Sequence, residues 1–222
     1  MTPVRVKICG LREPRHAAVT SRAGADYVGV VFAARVREVT AEAAAAVVGA
    51  LEGATRAVGV FLDASPAEIL RKRDTAGFHI AQLHGAEPPR VCDELRAEGL
   101  GVWKGIRPTS GDTLIRRWDE YRDAADAILV EGFSPRGPGG TGSAFPHEWL
   151  SGLGRDGCAL VLAGGLDAGN VARAIRDVRP DIVDVSSGVE RAPGEKSIEK
   201  ILEFLAAVRE AANRAPASAE AG

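Results

Sequence analysis

Eight short apolar runs alternate with stretches of helical periodicity along nearly the whole chain, and this alternation constrains the fold more than any other feature. The runs cover residues 4–9, 27–32, 57–62, 80–84, 101–106, 127–131, 159–162 and 182–186. Their length and their Val, Ile and Leu content read as strands, bounded by Gly and polar residues. Helical patterns fall near 12–24, 41–52, 66–77, 88–98, 112–122, 146–153, 167–178 and 195–212. Eight strand–helix units in 222 residues predict an α/β fold, a single closed (β/α)8 or TIM barrel over residues 1–212. An open doubly wound sheet usually has fewer strands, and no Gly-x-Gly-x-x-Gly follows the first run. The Gly-rich segment 137–142 lies inside a strand–helix unit and reads as a loop. Residues 213–222 are small and polar and read as a disordered tail.

The chain is 45% hydrophobic with a net charge of -2, which supports a substantial core and argues against a nucleic-acid or membrane-surface partner. Any anionic ligand must therefore be met locally. No apolar run is long enough to span a bilayer, and the first residues enter strand pattern at once, without the core of a signal peptide. Three scattered cysteines, Cys9, Cys92 and Cys158, form no disulfide framework and fit a reducing cytoplasm. No His-x-x-x-His, HExxH or Cys pair at ligand spacing points to a metal.

In a barrel the C-terminal ends of the strands carry the chemistry. The first strand delivers Cys9 there and the second leads to Arg35 and Arg37. The third gives Asp63, the fourth Gln82 and His84, the fifth Arg107, and the sixth Glu131. The seventh gives Gly164 and Gly165, and the eighth Ser186, Ser187, Gly188 and Glu190. Glycines in the last two loops let backbone N–H groups approach an anion, the usual barrel site for a substrate phosphate. They equally serve as plain tight turns. Cys9 and Glu131 are the titratable groups best placed for proton transfer, the thiolate as base and the carboxylic acid as donor. Alternatively, Cys9 is a small buried hydrophobe and Glu131 a salt-bridged loop carboxylate.

These segments together resemble the phosphoribosylanthranilate isomerase family, from about residue 4 to residue 206. The resemblance rests on Val6-Lys7-Ile8-Cys9-Gly10-Leu11, Gly24-Ala25-Asp26, Val58-Gly59-Val60-Phe61, Gln82-Leu83-His84-Gly85 and Gly139-Gly140-Thr141-Gly142. Gly164-Gly165-Leu166 and Asp184-Val185-Ser186-Ser187-Gly188-Val189-Glu190 complete it. It implies an Amadori rearrangement of N-(5-phosphoribosyl)anthranilate, in tryptophan biosynthesis, to 1-(2-carboxyphenylamino)-1-deoxyribulose 5-phosphate. The partner is then a small phosphosugar substrate, no cofactor is needed, and the protein is a monomer or a homodimer. Cys9 corresponds to the family's general base. Arg37 corresponds to the residue that binds the anthranilate carboxylate. The glycines and serines after strands 7 and 8 hold the phosphate.

The chain departs from the family pattern twice. Glu131 stands where the family has Asp, which adds one methylene to the acid. The loop after the second strand is short, so either Arg35 or Arg37 matches the carboxylate-binding Arg. Three other readings compete with the isomerase. A diverged relative would act on another aminoaryl or phosphosugar substrate, and a phosphate-ligand binder would have no turnover. Indole-glycerol-phosphate synthase chemistry would need a Lys acid, for which Lys104 is the mid-barrel candidate.

Overall fold

The computed structural model describes residues 3–33, 36–131, 147–150, 153–155 and 157–214. Eight parallel strands close into a barrel in sequence order. They are β1 (Arg5–Cys9), β2 (Tyr27–Val31), β3 (Arg56–Phe61), β4 (Ile80–Leu83), β5 (Gly101–Ile106), β6 (Ala127–Glu131), β7 (Ala159–Ala163) and β8 (Ile182–Val185). The barrel closes where Lys7 of β1 pairs with Asp184 of β8. Helices α1 (Pro14–Arg22), α2 (Ala41–Gly49), α3 (Pro66–Ala76), α4 (Pro89–Ala97), α5 (Gly111–Tyr121), α6 (Val171–Val178) and α7 (Ile198–Arg214) surround it.

Local chemistry starts these helices. Pro14, Pro66 and Pro89 occupy first-turn positions, where a missing N–H costs nothing. Thr40, Ser65 and Ser110 accept the N–H groups of Ala43, Glu68 and Thr113. Alternating strand residues build two apolar layers. One set packs against the helices. The other set, with Tyr27, Val58, Ile80, Trp103, Leu129, Val161 and Ile182, fills the barrel interior.

A repeated device fixes the base of the barrel. The residue preceding each even-numbered strand accepts the N–H near the start of the odd strand before it. Asp26 takes Val6 at 2.7 Å, Asp126 takes Val102 at 2.7 Å and Asp181 takes Leu160 at 2.8 Å. At the fourth position His79 Nδ1 accepts from Ala57 at 3.2 Å. Burial and the nearby Arg56 lower the pKa of His79, which favours the neutral ring this acceptor role requires.

The structure corrects the sequence reading in three places. The segment expected to form a helix over 146–153 contains a four-residue 3-10 turn, His147–Leu150. Helix α6 begins at Val171, because Asp167 and Asn170 trade side-chain bonds with the intervening backbone and hold 167–170 as a turn. Before α7, the chain forms a small hairpin of β9 (Glu190–Ala192) and β10 (Glu195–Lys196). Helix α7 reaches Arg214, and the tail beyond it lies outside the described residues, as do Arg35 and the Gly-rich loop 137–142.

Candidate active site

Two lumen-facing residues of β1 meet at the barrel mouth. Lys7 is fully buried and donates 3.1 Å hydrogen bonds to both carboxylate oxygens of Asp184. Cys9 lies two residues further along, buried and in no disulfide. Gly29 on β2 makes room for it, since a Cβ there would sit 2.8 Å from Cys9 Sγ. Burial pushes the thiol pKa up and Asp184 adds to this, while Lys7 and Lys196 pull it down; the net shift is upward. The resting group is therefore a thiol with two cations at hand for the thiolate.

Across the mouth, Glu131 ends β6. Its Oε2 accepts from Arg107 Nε at 2.8 Å and lies 3.1 Å from His84 Nε2. Burial alone would raise its pKa, but His84 and Arg107 outweigh burial and hold it at about 2. Gly105 leaves space for the imidazole, because a Cβ there would meet His84 Nδ1 at 2.6 Å. Gln82, 2% exposed, lies beneath the ring with its Nε2 3.0 Å from Nδ1. Its Oε1 has no hydrogen-bond partner among the described residues. A cleft of about 330 Å³ opens beside this group, lined by His84, Arg107, Leu62, Ile106, Pro108 and Arg117 among others.

Arg37 occupies a third corner. It grips Glu190 with Nε at 2.7 Å and Nη2 at 2.8 Å, while Lys196 approaches Glu190 Oε1 at 2.8 Å. Burial would raise the Glu190 pKa, yet these two cations bring it to about 2. Arg37 also lies within electrostatic range of both Cys9 and Glu131.

The phosphate-type loops sit next to β1. Gly164 and Gly165 follow β7 with φ of 94° and 65°, values that favour glycine. Gly165 O accepts from Asn170 at 2.7 Å. Ser187 and Gly188 open a 3-10 turn over Ser187–Val189, whose first N–H groups have no acceptor within the turn. Gly188 packs on the Leu166 carbonyl, so a Cβ there would overlap it and the two loops are in contact. Ser186 Oγ donates to Cys9 O at 3.2 Å, which joins this corner to the thiol.

The family model described as N-(5'phosphoribosyl)anthranilate (PRA) isomerase matches residues 6–207. The chain belongs to this isomerase family. A relative from Rubrobacter xylanophilus, N-(5'-phosphoribosyl)anthranilate isomerase, is 41% identical over 92% of this chain and 98% of its own length. The phosphoribosyl anthranilate isomerase structure from Thermotoga maritima superposes with a TM-score of 0.85, at 36% identity over 93% of this chain and 99% of that one. A phosphoribosyl anthranilate isomerase structure in complex with reduced 1-(o-carboxyphenylamino)-1-deoxyribulose 5-phosphate superposes at 0.81 with 34% identity, over 93% and 99% of the two chains.

Against this isomerase family, the competing Lys104 reading loses its geometry. Lys104 faces away from the lumen toward α4 and α5, fully buried, with Glu87 at 2.7 Å and Gly85 O at 2.6 Å. Asp63 is likewise a loop brace, its Oδ1 accepting from Ala86 N at 2.6 Å. Sequence reasoning gave no role to Lys7, Asp184 or Lys196. The signal available was a charged residue inside an apolar strand run: Lys7 shares the period-two face of Cys9, and Asp184 that of Ser186. Among the described residues, no cluster of His, Cys, Asp and Glu could hold a metal ion. No helix among them is long and apolar enough to cross a membrane.

Proposed function

We propose that the chain converts N-(5-phosphoribosyl)anthranilate to 1-(2-carboxyphenylamino)-1-deoxyribulose 5-phosphate, with Cys9 as general base and Glu131 as general acid. The observation that carries this reading is the pairing of a lumen thiol flanked by Lys7 and Lys196 with a strand-end carboxylate, beside two glycine-rich loops. The acid protonates the ribose ring oxygen and opens the ring to a protonated imine. The base then removes the proton at C2′, and the enol-amine tautomerises to the ketone. In the resting protein this pair holds one proton, on sulfur. The reaction uses the same single proton on the carboxyl group, with the sulfur ionised. A bound substrate, anionic at its phosphate and its aryl carboxylate, favours protonated Glu131 by offsetting Arg107 and His84, while Lys7 favours the thiolate.

In this reading Gly164, Gly165, Ser186, Ser187 and Gly188 receive the phosphate, and Gln82 and His84 border the sugar. Arg37 receives the aryl carboxylate, which requires that carboxylate to share or displace Glu190. The test is steady-state turnover of freshly generated phosphoribosylanthranilate, followed by loss of its fluorescence, in wild type and Cys9→Ala. Turnover in wild type and its loss in Cys9→Ala supports the assignment. Near-wild-type rates in the variant would remove Cys9 as base. Absent wild-type turnover, with a reduced product analogue still bound, would favour a diverged substrate.

A further inference from the structure

We infer that Arg107 is a positioning residue for the isomerisation, fixing the carboxyl of Glu131 through one oxygen so that the other faces the reaction. This inference rests on the proposed function. Its geometry is specific to two neighbouring strands. Arg107, just past the end of β5, uses Nε alone on Glu131 Oε2, at 2.8 Å. His84 from β4 approaches the same Oε2 at 3.1 Å, and His84 is itself seated by Gln82. Two groups on one oxygen define the plane of the carboxyl group, while Oε1 has no donor among the described residues. Oε1 is thus the oxygen left to hold and deliver a proton.

The reach of the side chain matters as much as its charge. An Asp at 131 would draw the carboxyl back by about 1.5 Å, one C–C bond, and out of hydrogen-bond range of Arg107 Nε. Arg107 is one-third exposed at the rim of the cleft, so the contact is open to solvent on one side and is not part of the packed core. A purely structural brace looks different in this molecule: Lys104 and Glu87 bond each other at full burial. Among the described residues, the charged groups within electrostatic range of Glu131 include His84 from β4, Arg107 after β5, Arg37 from the loop after β2 and Asp184 from β8.

The experiment is a double-mutant cycle on turnover, with Arg107→Ala and Arg107→Lys made in wild type and in Glu131→Asp. In wild type, Arg107→Ala should lower kcat by about tenfold with KM changed less than about threefold, and Arg107→Lys should recover part of the loss. Its acidic limb of kcat/KM should move to higher pH, since removing the cation raises the Glu131 pKa from about 2. In Glu131→Asp, Arg107→Ala should change kcat by less than about threefold and leave that limb in place. Equal losses in both backgrounds, a loss confined to KM, or an unmoved acidic limb overturns the inference. Inactive wild type removes the isomerase reading together with it, whereas an active wild type without coupling removes the inference alone.

Discussion

Glu131 and Glu190 occupy two corners of the same barrel mouth, one half-buried and one buried, and each carboxylate is clasped by an arginine and a second basic side chain. Both are held at about 2 against the pull of burial. They differ in how their oxygens are used. Glu190 is saturated: Arg37 and Lys196 take Oε1, and Arg37 and the Gly194 N–H take Oε2, with the side chain 4% exposed. Among the described residues, Glu131 has both partners on Oε2, and its side chain is 14% exposed. A carboxylate with every lone pair engaged ties loops together. One with an oxygen that has no donor among the described residues keeps a site for a proton. A lowered pKa alone does not separate these two arrangements; the use of the carboxylate oxygens does.

Turnover should break that resemblance most sharply. Glu131→Gln removes the proton donor and should cost on the order of 1,000-fold in kcat, within the range of general-acid catalysis. Glu190→Gln should cost less than about tenfold once activity is divided by the folded fraction measured in parallel, because its oxygens touch protein groups. Comparable losses in the two variants would mean that the saturated corner also takes part in chemistry.

Stability should reverse the order. Glu190→Gln leaves the Lys196 side chain, 1% exposed, without its carboxylate. An uncompensated buried charge costs about 3 kcal/mol or more, read as a shift in denaturant midpoint at constant slope. Glu131→Gln should cost less, since Arg107 is one-third exposed and water can take over its solvation. The pH dependence follows in sign. Both carboxylates have folded pKa values below the ordinary 4.5, so their stabilisation is fully present above that pH and is lost as pH falls toward 2. Denaturant melts between pH about 5 and about 2.5 should show this decline in wild type and a shallower one in Glu190→Gln. Parallel slopes would argue that Glu190 titrates alike in the folded and unfolded chain.

Much of this was readable in the sequence, for a definite reason. The strands of a parallel barrel are buried on both faces, so each appears as an uninterrupted apolar run, and the observed strand limits fall within a residue or so of those runs. The even-strand anchors Asp26, Asp126 and Asp181 sit directly before such runs and carry a local signal. The β9–β10 hairpin does not, because three- and two-residue strands are too short to show a period. Cys9 and Glu131 stood out because strand ends are identifiable. What surrounds them was invisible: Lys7 meets Asp184 across 177 positions, Arg37 meets Glu190 across 153, and Arg107 meets Glu131 across 24. Such pairings follow from barrel closure and the order of neighbouring strands, which set them only once the topology is known.

The smallest expected effect tests the saturated corner from its other side. Arg37 holds Glu190 with a two-pronged fork, and its stem passes over Gly10, where a Cβ would meet Arg37 Cδ at 2.8 Å. Arg37→Lys keeps the charge but offers a single point donor, so one of the two bonds is lost and the other loosens. Stability should fall by only about 1 kcal/mol, because Lys196 and the Gly194 N–H still satisfy Glu190. Ligand binding should be more discriminating. If Arg37 also receives the aryl carboxylate, the variant should weaken an anthranilate-containing product analogue by about tenfold, the cost of one charge-assisted bond, and ribose 5-phosphate by less than about twofold. Calorimetric titration of the two ligands reads this ratio directly. Equal weakening would confine Arg37 to its bond with Glu190 and point to Arg35, which lies outside the described residues, or to a general electrostatic effect.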